Sequence, residues 1–250
     1  MPMINKNIVS RRNRLSNFYS VMSNDIPFSY VEAFKTLRTN LEFLSSTDEI
    51  KSILITSAIP EENKSTTAIN LALTFAKSKK SVIIVECDMR KPTLRKYLKL
   101  GRGNKGLSLI LAGKATIKEC IIPVDEFGIS VLPAGEIPPN PSELLNQEHM
   151  KALIEWLKEQ YDYVILDAPP VMVVTDAAIV GRMADGGLLV VRSQYAPTKT
   201  LRLAKRRLES VGVRILGVVL TRFEVKKNRW RSGYNYEYEY EYAYGKRKKK

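Results

Sequence analysis

Three adjacent residues, Lys64, Ser65 and Thr66, offer an ammonium and two hydroxyls where an apolar segment gives way to a helical one. In a strand–loop–helix unit of this kind, backbone N–H groups and the helix N-terminus cradle phosphates. The lysine neutralises phosphate charge, and the hydroxyl that follows it ligates Mg²⁺. The segment therefore predicts a phosphate-binding loop over residues 57–66, with Mg²⁺ beside it.

The loop departs from the strict pattern G-x-x-x-x-G-K, because its two glycine positions are Ala58 and Asn63. Glycine is used there because it adopts positive φ and lets the backbone approach the phosphates. Asparagine visits the left-handed region more readily than other residues that carry a side chain. We therefore expect Asn63 to replace the second glycine and to take part in nucleotide binding.

Three carboxylates stand at the carboxyl ends of two further apolar segments. Glu86 and Asp88 lie in VECDMRKP, and Asp167 lies in LDAPP. A carboxylate at the tip of a buried strand is costly unless it meets a cation, and Mg²⁺ beside a bound phosphate is such a cation. Each carboxylate could instead cap a helix or form a surface ion pair. Their order after the Lys-Ser-Thr loop favours the metal interpretation.

The elements that must position these residues alternate between apolar strands and amphipathic helices. The sequence predicts strands at 52–56, 82–85, 129–132, 164–166, 188–191 and 215–220, and helices at 30–44, 65–77, 150–159 and 198–211. Strands that are apolar throughout are typical of a parallel sheet buried on both faces. We expect one α/β domain over residues 26–225, with three layers and a mostly parallel central sheet between helices. Ligands bind at the carboxyl ends of such strands.

The two ends of the chain differ from this domain in composition. We expect residues 1–25 to form a mobile arm and residues 226–250 a disordered, basic, tyrosine-rich tail. The net charge is +14, and residues 226–250 alone carry nine Lys or Arg against three Glu. Basic ends favour an anionic membrane surface, nucleic acid or a phosphorylated partner, or they serve only to keep the chain in solution.

The tail contains six tyrosines that alternate with acidic or small residues in GYNYEYEYEYAYG. A disordered segment of this composition is a natural substrate for tyrosine phosphorylation. The expected phosphorylation sites are Tyr234, Tyr236, Tyr238, Tyr240, Tyr242 and Tyr244.

Composition also indicates the redox environment of the chain and how it could attach to a membrane. Cys87 and Cys120 are well separated, and without a secretory signal they indicate a reducing cytosol rather than a disulfide framework. No apolar run reaches the roughly 18–20 residues that span a bilayer. We therefore expect any membrane attachment to be peripheral or through a partner.

Taken in order, these motifs resemble those of the bacterial tyrosine kinases (BY-kinases), P-loop proteins that serve polysaccharide synthesis and export. The resemblance covers residues 28–222 and the tail. Its motifs are EAFKTLRTN (32–40), KSTT (64–67), DMRKP (88–92), PPNPSELL (138–145), LDAPP (166–170) and ADG (184–186).

The resemblance implies a P-loop NTPase fold and a role for each matching residue. Lys64 would contact the β- and γ-phosphates of ATP, Thr66 the α-phosphate, and Ser65 would ligate Mg²⁺. Asp88 would position Mg²⁺ and the attacking tyrosine, as its base, and Asp167 would hold the water shell of the metal. Glu86 would be a further catalytic carboxylate.

The chain departs from the family at four positions. Glu86 stands where the family usually has aspartate, so its carboxylate reaches one carbon farther. Glu61 and Asn63 replace the two glycines of the family loop, and Glu61 adds a negative charge beside the expected phosphates. Lys35 replaces an arginine of the oligomerisation motif, and lysine lacks the bidentate fork of arginine.

The resemblance also implies partners. Glu32, Lys35 and Arg38 would pack the chain into a ring-like homo-oligomer, with an octamer as the candidate size. The alternative is a solvated helix face with i, i+3 ion pairs. A separate transmembrane protein would activate the kinase, a cognate tyrosine phosphatase would reverse it, and other proteins would supply further tyrosine substrates. The chain would then be cytoplasmic, held by its partner at the inner face of the cell membrane.

The resulting prediction is a Mg-ATP-dependent protein tyrosine kinase that phosphorylates its own tail in trans and regulates capsular or exopolysaccharide synthesis and export. Two other functions stay open. One is a catalytically weak nucleotide-binding scaffold of the same system. The other is a partitioning-type ATPase whose basic tail binds DNA. Such ATPases share the fold but lack a tyrosine tail, and under the kinase hypothesis nucleic acid is not an expected partner.

Overall fold

The computed structural model describes residues 26–101 and 103–223 of the chain. The predicted arm at 1–25 lies outside the described residues, and so does the predicted tail at 226–250 with its six tyrosines. The predicted domain at 26–225 is described up to residue 223.

Helices and strands alternate along the described chain. The helices are α1 Phe28–Asp48, α2 Lys64–Lys77, α3 Leu94–Tyr97, α4 Leu107–Leu111, α5 Ile117–Cys120, α6 Pro141–Leu145, α7 Glu148–Gln160, α8 Asp176–Gly181 and α9 Thr198–Glu209. The strands are β1 Ser52–Ser57, β2 Val82–Glu86, β3 Ile122–Val124, β4 Ile129–Leu132, β5 Tyr163–Asp167, β6 Gly186–Arg192 and β7 Ile215–Thr221.

The strands form one seven-stranded sheet in the order β3-β4-β2-β5-β1-β6-β7. Every neighbouring pair is parallel except β3 and β4, which are antiparallel. The six predicted strands are confirmed, and five of them extend one to three residues beyond the predicted bounds. β3 was not predicted, because it is a three-residue edge strand that contains Pro123.

Alternate residues of each central strand enter two separate apolar layers. In β5, Val164 and Leu166 pack against α7, α8 and their neighbours, whereas Tyr163 and Ile165 pack on the opposite face against α1 and α2. A sheet covered by helices on both faces explains why its strands are apolar throughout. The predicted three-layer α/β fold is therefore confirmed.

The four predicted helices are all present, with shifted ends. The first begins at Phe28 and ends at Asp48, longer than predicted at both ends, and Glu49 then closes it in the left-handed conformation (φ 49°). The helix predicted to reach Val211 ends at Glu209, because Gly212 turns the chain with a φ of 86°. Within the described residues, no helix is both long and apolar enough to cross a membrane.

Candidate nucleotide-binding and phosphoryl-transfer site

The three strands that carry the predicted site residues are neighbours in the sheet. β5 lies between β1 and β2, and Glu86 pairs with Asp167 in the parallel register. Parallel strands end at the same edge of a sheet, so the loops after Ser57, Glu86 and Asp167 meet there. The sheet order therefore places the three predicted motifs at one site.

The loop after β1 has the conformation that glycine would otherwise supply. Asn63 takes φ 70° and ψ 26° and immediately precedes the first helical residue, Lys64. The expectation that Asn63 adopts the left-handed region is confirmed. Glu61 also has a positive φ, 65°, and a residue with a Cβ incurs about 1–2 kcal/mol in that region. Both glycine positions of the family loop thus keep the backbone conformation without the glycine.

Lys64 lies between two of the predicted carboxylates. Its Nζ is 2.9 Å from Asp88 Oδ2 and 3.5 Å from Asp167 Oδ1, and all three side chains are largely buried. Burial opposes the charged ammonium, but attraction to Asp167 and Asp88 outweighs it, so the pKa of Lys64 is raised. The cation is therefore held protonated inside the site.

Asp167 is the most unusual of these groups. It is fully buried, no backbone N–H donates to its carboxylate, and its polar neighbours are Lys64 Nζ, 3.5 Å from Oδ1, and the Ser65 hydroxyl. Burial raises the pKa of Asp167, and the attraction of Lys64 offsets that effect only in part. A buried carboxylate with no backbone donor and only a distant ammonium is costly. Its oxygens are therefore suited to receive a hydrated cation.

One carboxylate oxygen of Asp88 pairs with Lys64, and the other accepts a hydrogen bond from the main chain. Its Oδ1 accepts a hydrogen bond of 3.0 Å from the N–H of Lys91. The N–H of Asp88 in turn donates to the carbonyl of Asp167 at 3.2 Å. These bonds fix the side chain at the carboxyl end of β2, facing the start of α2.

Glu86 is engaged differently from the two aspartates. Its Oε1 accepts hydrogen bonds from the N–H groups of Thr93 and Leu94, and its Oε2 accepts one of 3.0 Å from Ala134. Burial raises the pKa of Glu86, and these three bonds offset part of that effect. The carboxylate thus joins two loops to the sheet, and its predicted catalytic role stays a prediction.

Ser65 and Thr66 occupy the first turn of α2, directly after Lys64. The Ser65 hydroxyl lies 3.4 Å from Lys64 Nζ, within the same cluster. Thr66 is partly exposed, and its carbonyl accepts a hydrogen bond of 2.9 Å from the Asn70 side chain. The geometry therefore brings Asn63, Lys64, Ser65 and Thr66 together at one helix N-terminus, as predicted for a phosphate site.

A second acidic residue of the loop was not predicted as a site residue. Glu62 is almost fully buried, and its carboxylate accepts hydrogen bonds from the N–H groups of Ile59 at 3.0 Å and Arg192 at 3.2 Å. The Thr221 hydroxyl donates to the Glu62 carbonyl at 3.1 Å. Glu62 therefore ties the loop to the ends of β6 and β7.

An ion pair next to the site was also not predicted from the sequence. Arg90 follows Asp88 by two residues, and its Nε lies 2.9 Å from an oxygen of Asp176, which is fully buried at the start of α8. The Ser142 hydroxyl donates to the same carboxylate at 2.6 Å. Three separate motifs, DMRKP, PPNPSELL and the start of α8, are thus joined by one buried carboxylate. The spacing along the chain, 34 and 86 residues, gave no signal for it.

The predicted oligomerisation residues lie together on α1. Lys35 Nζ is 2.7 Å from Glu32, and Arg38 Nε is 3.5 Å from Glu42. Arg38 also donates through Nη1 to the Thr74 carbonyl of α2 at 3.3 Å. The i, i+3 pair matches the alternative of a solvated helix face, and the ring stays a prediction.

The donor set fits Mg²⁺ bound together with phosphates. The described residues contain no group of three or more His, Cys, Asp or Glu that could enclose a metal ion by themselves. Nucleotide enzymes instead hold Mg²⁺ through one or two carboxylates and the phosphates of the substrate. Asp167, whose two buried oxygens accept no backbone hydrogen bond, and the neighbouring Ser65 hydroxyl meet that requirement.

Comparison with known proteins identifies relatives of the chain. A family described as an AAA domain matches residues 61–211. The tyrosine-protein kinase YwqD of Bacillus subtilis is 39% identical over 197 residues, which cover 79% of this chain and 83% of that protein. The tyrosine-protein kinase etk of Escherichia coli K12 is 36% identical over 84% of this chain, but the chain spans only 30% of its length.

A solved structure extends the agreement to three dimensions. The chimerical protein CapA2B2 is 33% identical, with a TM-score of 0.76 over 88% of this chain and 100% of that chain. The matched family domain begins inside the phosphate-binding loop and includes Lys64, Asp88 and Asp167. With these motifs, this fold and these relatives, the chain belongs to the family of bacterial tyrosine-protein kinases.

Proposed function

We propose that the chain transfers the γ-phosphoryl group of ATP to protein tyrosines, including the tyrosines of its own tail. The observation that carries the proposal is the placement of Lys64 Nζ between Asp88 and Asp167 at the N-terminus of α2. A cation and two buried carboxylates at a helix N-terminus are the parts needed for phosphoryl transfer, which depends on positioning and charge neutralisation.

Each residue has a distinct task in this proposal. Asn63 and the first turn of α2 present backbone N–H groups to the phosphates, Lys64 binds the β- and γ-phosphates, and Thr66 contacts the α-phosphate. Ser65, Asp88 and Asp167 would hold Mg²⁺, and the metal would neutralise phosphate charge during the transfer.

Asp88 is the base in the transfer step. A tyrosine hydroxyl has a pKa of about 10 and is a weak nucleophile at neutral pH. Its oxygen attacks the γ-phosphorus, the bond from that phosphorus to the β–γ bridging oxygen breaks, and ADP leaves. The phenolic proton passes to Asp88, whose Oδ2 is held 2.9 Å from Lys64 Nζ.

The tail tyrosines are the proposed substrates in trans, within a ring-like homo-oligomer formed through Glu32, Lys35 and Arg38. Each phosphate adds about −1.5 to −2 charges, so phosphorylated tails repel one another and favour dissociation of the ring. A separate transmembrane protein activates the kinase and holds it at the inner face of the membrane, and a cognate phosphatase resets it. The output is control of capsular or exopolysaccharide synthesis, a step that rests on likeness to the family.

The test is incubation of the purified protein with Mg-ATP, alone and with the cytoplasmic segment of a candidate membrane activator. Mass spectrometry then measures phosphate on residues 234–244. Lys64→Met and Asp88→Asn remove the proposed phosphate contact and base. Two exposed residues away from the site, Lys114 and Asp125, provide matched controls as Lys114→Met and Asp125→Asn.

Phosphotyrosine that both site variants abolish and both control variants retain would support the kinase. Bound ATP without phosphate transfer under any condition would favour the scaffold. DNA binding that falls with salt and requires residues 226–250 would favour the partitioning-type ATPase.

A further inference from the structure

Glu61 places a negative charge in the phosphate-binding loop at a position where the family usually has glycine. The residue is exposed and takes a φ of 65°, so the loop keeps the glycine conformation while it carries a carboxylate. A carboxylate turned toward bound phosphates would repel them, because like charges raise each other's energy at short range. The affinity for nucleotide therefore depends on whether the Glu61 side chain points toward the phosphates or away from them.

The Glu61 carboxylate is engaged by a residue of another loop. The hydroxyl of Tyr195 donates to Glu61 Oε2 at 3.3 Å. Tyr195 lies in the connection between β6 and α9, and the guanidinium carbon of Arg192 is 4.3 Å from the centre of its ring. The tyrosine ring is thus stacked under a cation while its hydroxyl reaches the loop.

This contact lies on the opposite side of β1 from the Lys64 cluster. In the sheet order β2-β5-β1-β6, Asp88 follows β2 and Asp167 ends β5, whereas Tyr195 follows β6. Neighbouring strands are about 4.8 Å apart. A carboxylate drawn toward the end of β6 is therefore directed away from the end of β5, where Lys64 meets Asp167.

The main chain beneath the contact is fixed by Glu62. Its buried carboxylate accepts hydrogen bonds from the N–H groups of Ile59 and Arg192, so the loop and the end of β6 are joined independently of Glu61. The Glu61 side chain can consequently be released from Tyr195 without loss of the loop itself. This separation makes the role of the contact testable.

We propose that Tyr195 is a positioning residue of the nucleotide site, and that its hydroxyl holds the Glu61 carboxylate on the β6 side, away from the phosphates. The inference rests on the proposed nucleotide site and adds a determinant of its affinity. In this chain a hydrogen bond between two loops removes a side chain from the path of the phosphates.

The experiment measures the Kd of Mg-ATP by calorimetry for the full chain and for Tyr195→Phe, at low and at high ionic strength. Phenylalanine keeps the ring against Arg192 and removes only the hydroxyl. We expect about fivefold weaker binding in Tyr195→Phe, because the released Glu61 carboxylate can approach the phosphates and repel them. The loss shrinks at high salt because salt screens exposed charges.

Glu61→Gln supplies the rescue. Glutamine keeps the length of the side chain and removes its charge, so Tyr195→Phe has no further effect on binding in the Glu61→Gln background. Tyr161→Phe is the matched control, because Tyr161 lies just before β5 begins, at the other edge of the sheet. Melting temperatures followed by circular dichroism verify that each variant is folded.

Two results would overturn the proposal. The first is Mg-ATP binding by Tyr195→Phe that equals that of the unaltered chain. The second is an equal loss with glutamate and with glutamine at position 61, which would show that the Tyr195 hydroxyl acts independently of the Glu61 charge. Lys64→Met tests the nucleotide site separately from the Tyr195–Glu61 contact. If Lys64→Met abolishes binding while Tyr195→Phe binds normally, only the role of Tyr195 is wrong. If Lys64→Met binds normally, the nucleotide site is wrong and this proposal with it.

Discussion

Asn63 provides a direct test of why the phosphate-binding loop folds without its glycines. The residue sits at φ 70° and ψ 26°, and its side chain makes no capping hydrogen bond to α2. Its carbonyl accepts hydrogen bonds from the N–H and the hydroxyl of Thr67 at 2.9 and 3.0 Å, which any residue at position 63 retains. Substitution therefore changes the backbone energy and little else.

The expected magnitudes follow from that geometry. A residue with a Cβ incurs about 1–2 kcal/mol in the left-handed region, and asparagine is partly exempt. We expect Asn63→Ala to lower the free energy of unfolding by about 1 kcal/mol, which corresponds to roughly 2–4 °C in Tm for a chain of this size. Asn63→Gly removes the strain but adds about 0.4–1 kcal/mol of unfolded-state entropy, so its net effect is small.

Urea denaturation followed by circular dichroism measures these differences. Asn146→Ala is the matched control, because Asn146 also has no side-chain capping role and has a φ of −86°, where alanine is unstrained. The reasoning fails if Asn63→Ala is no more destabilising than Asn146→Ala. It also fails if glycine at position 63 is as destabilising as alanine.

Three further substitutions test the charged groups of the domain. Asp167→Asn should keep or raise Tm, because it removes a buried charge whose desolvation Lys64 offsets only in part, while Asp88 still pairs with Lys64; autophosphorylation measured by mass spectrometry falls at least about a hundredfold. Asp185→Asn tests a depressed pKa: burial alone would raise the pKa of Asp185, but Lys158 and backbone N–H donors lower it below 3.8. The Asp185 carboxylate therefore stabilises the fold fully at pH values above its unfolded-state pKa, and this stabilisation is lost as the pH falls through its folded-state pKa. The urea midpoints of wild type and variant should consequently differ at neutral pH and converge in acid. Arg90→Ala should lower the free energy of unfolding by about 2 kcal/mol, because the buried Asp176 loses its cation; an unchanged urea midpoint would contradict this.

The main features of the fold were predictable because they depend on local composition. Apolar segments of four to seven residues that alternate with amphipathic helices specify a covered parallel sheet, and six of the seven strands were found in this way. The ends of parallel strands meet at one edge, so the proximity of Lys64, Asp88 and Asp167 followed from their places at strand ends. α2 likewise begins within a residue of its predicted start.

The parts that were not predicted depend on contacts between distant segments. Glu62 is a charged residue in a polar loop, which suggests exposure, yet Arg192 and Thr221 at the ends of β6 and β7 bury it and bond to it. The pair Arg90–Asp176 joins residues 86 positions apart. Short helices such as α3, with four residues, have too few positions for a helical period to be recognised.

The three carboxylates at the strand ends were predicted to act together, but their hydrogen bonds distinguish them. Glu86 already accepts bonds from three backbone N–H groups, so a metal or substrate would have to displace them. One oxygen of Asp88 accepts a hydrogen bond from the Lys91 N–H and the other pairs with Lys64, so the carboxylate is partly satisfied. Asp167 is fully buried and receives no backbone hydrogen bond, and its polar neighbours are the Lys64 and Ser65 side chains. Because the least satisfied buried charge gains most from a new cation, the capacity to hold Mg²⁺ increases from Glu86 to Asp88 to Asp167. The longer side chain of Glu86 is consistent with this order, since its extra carbon lets one carboxylate reach both the start of α3 and Ala134.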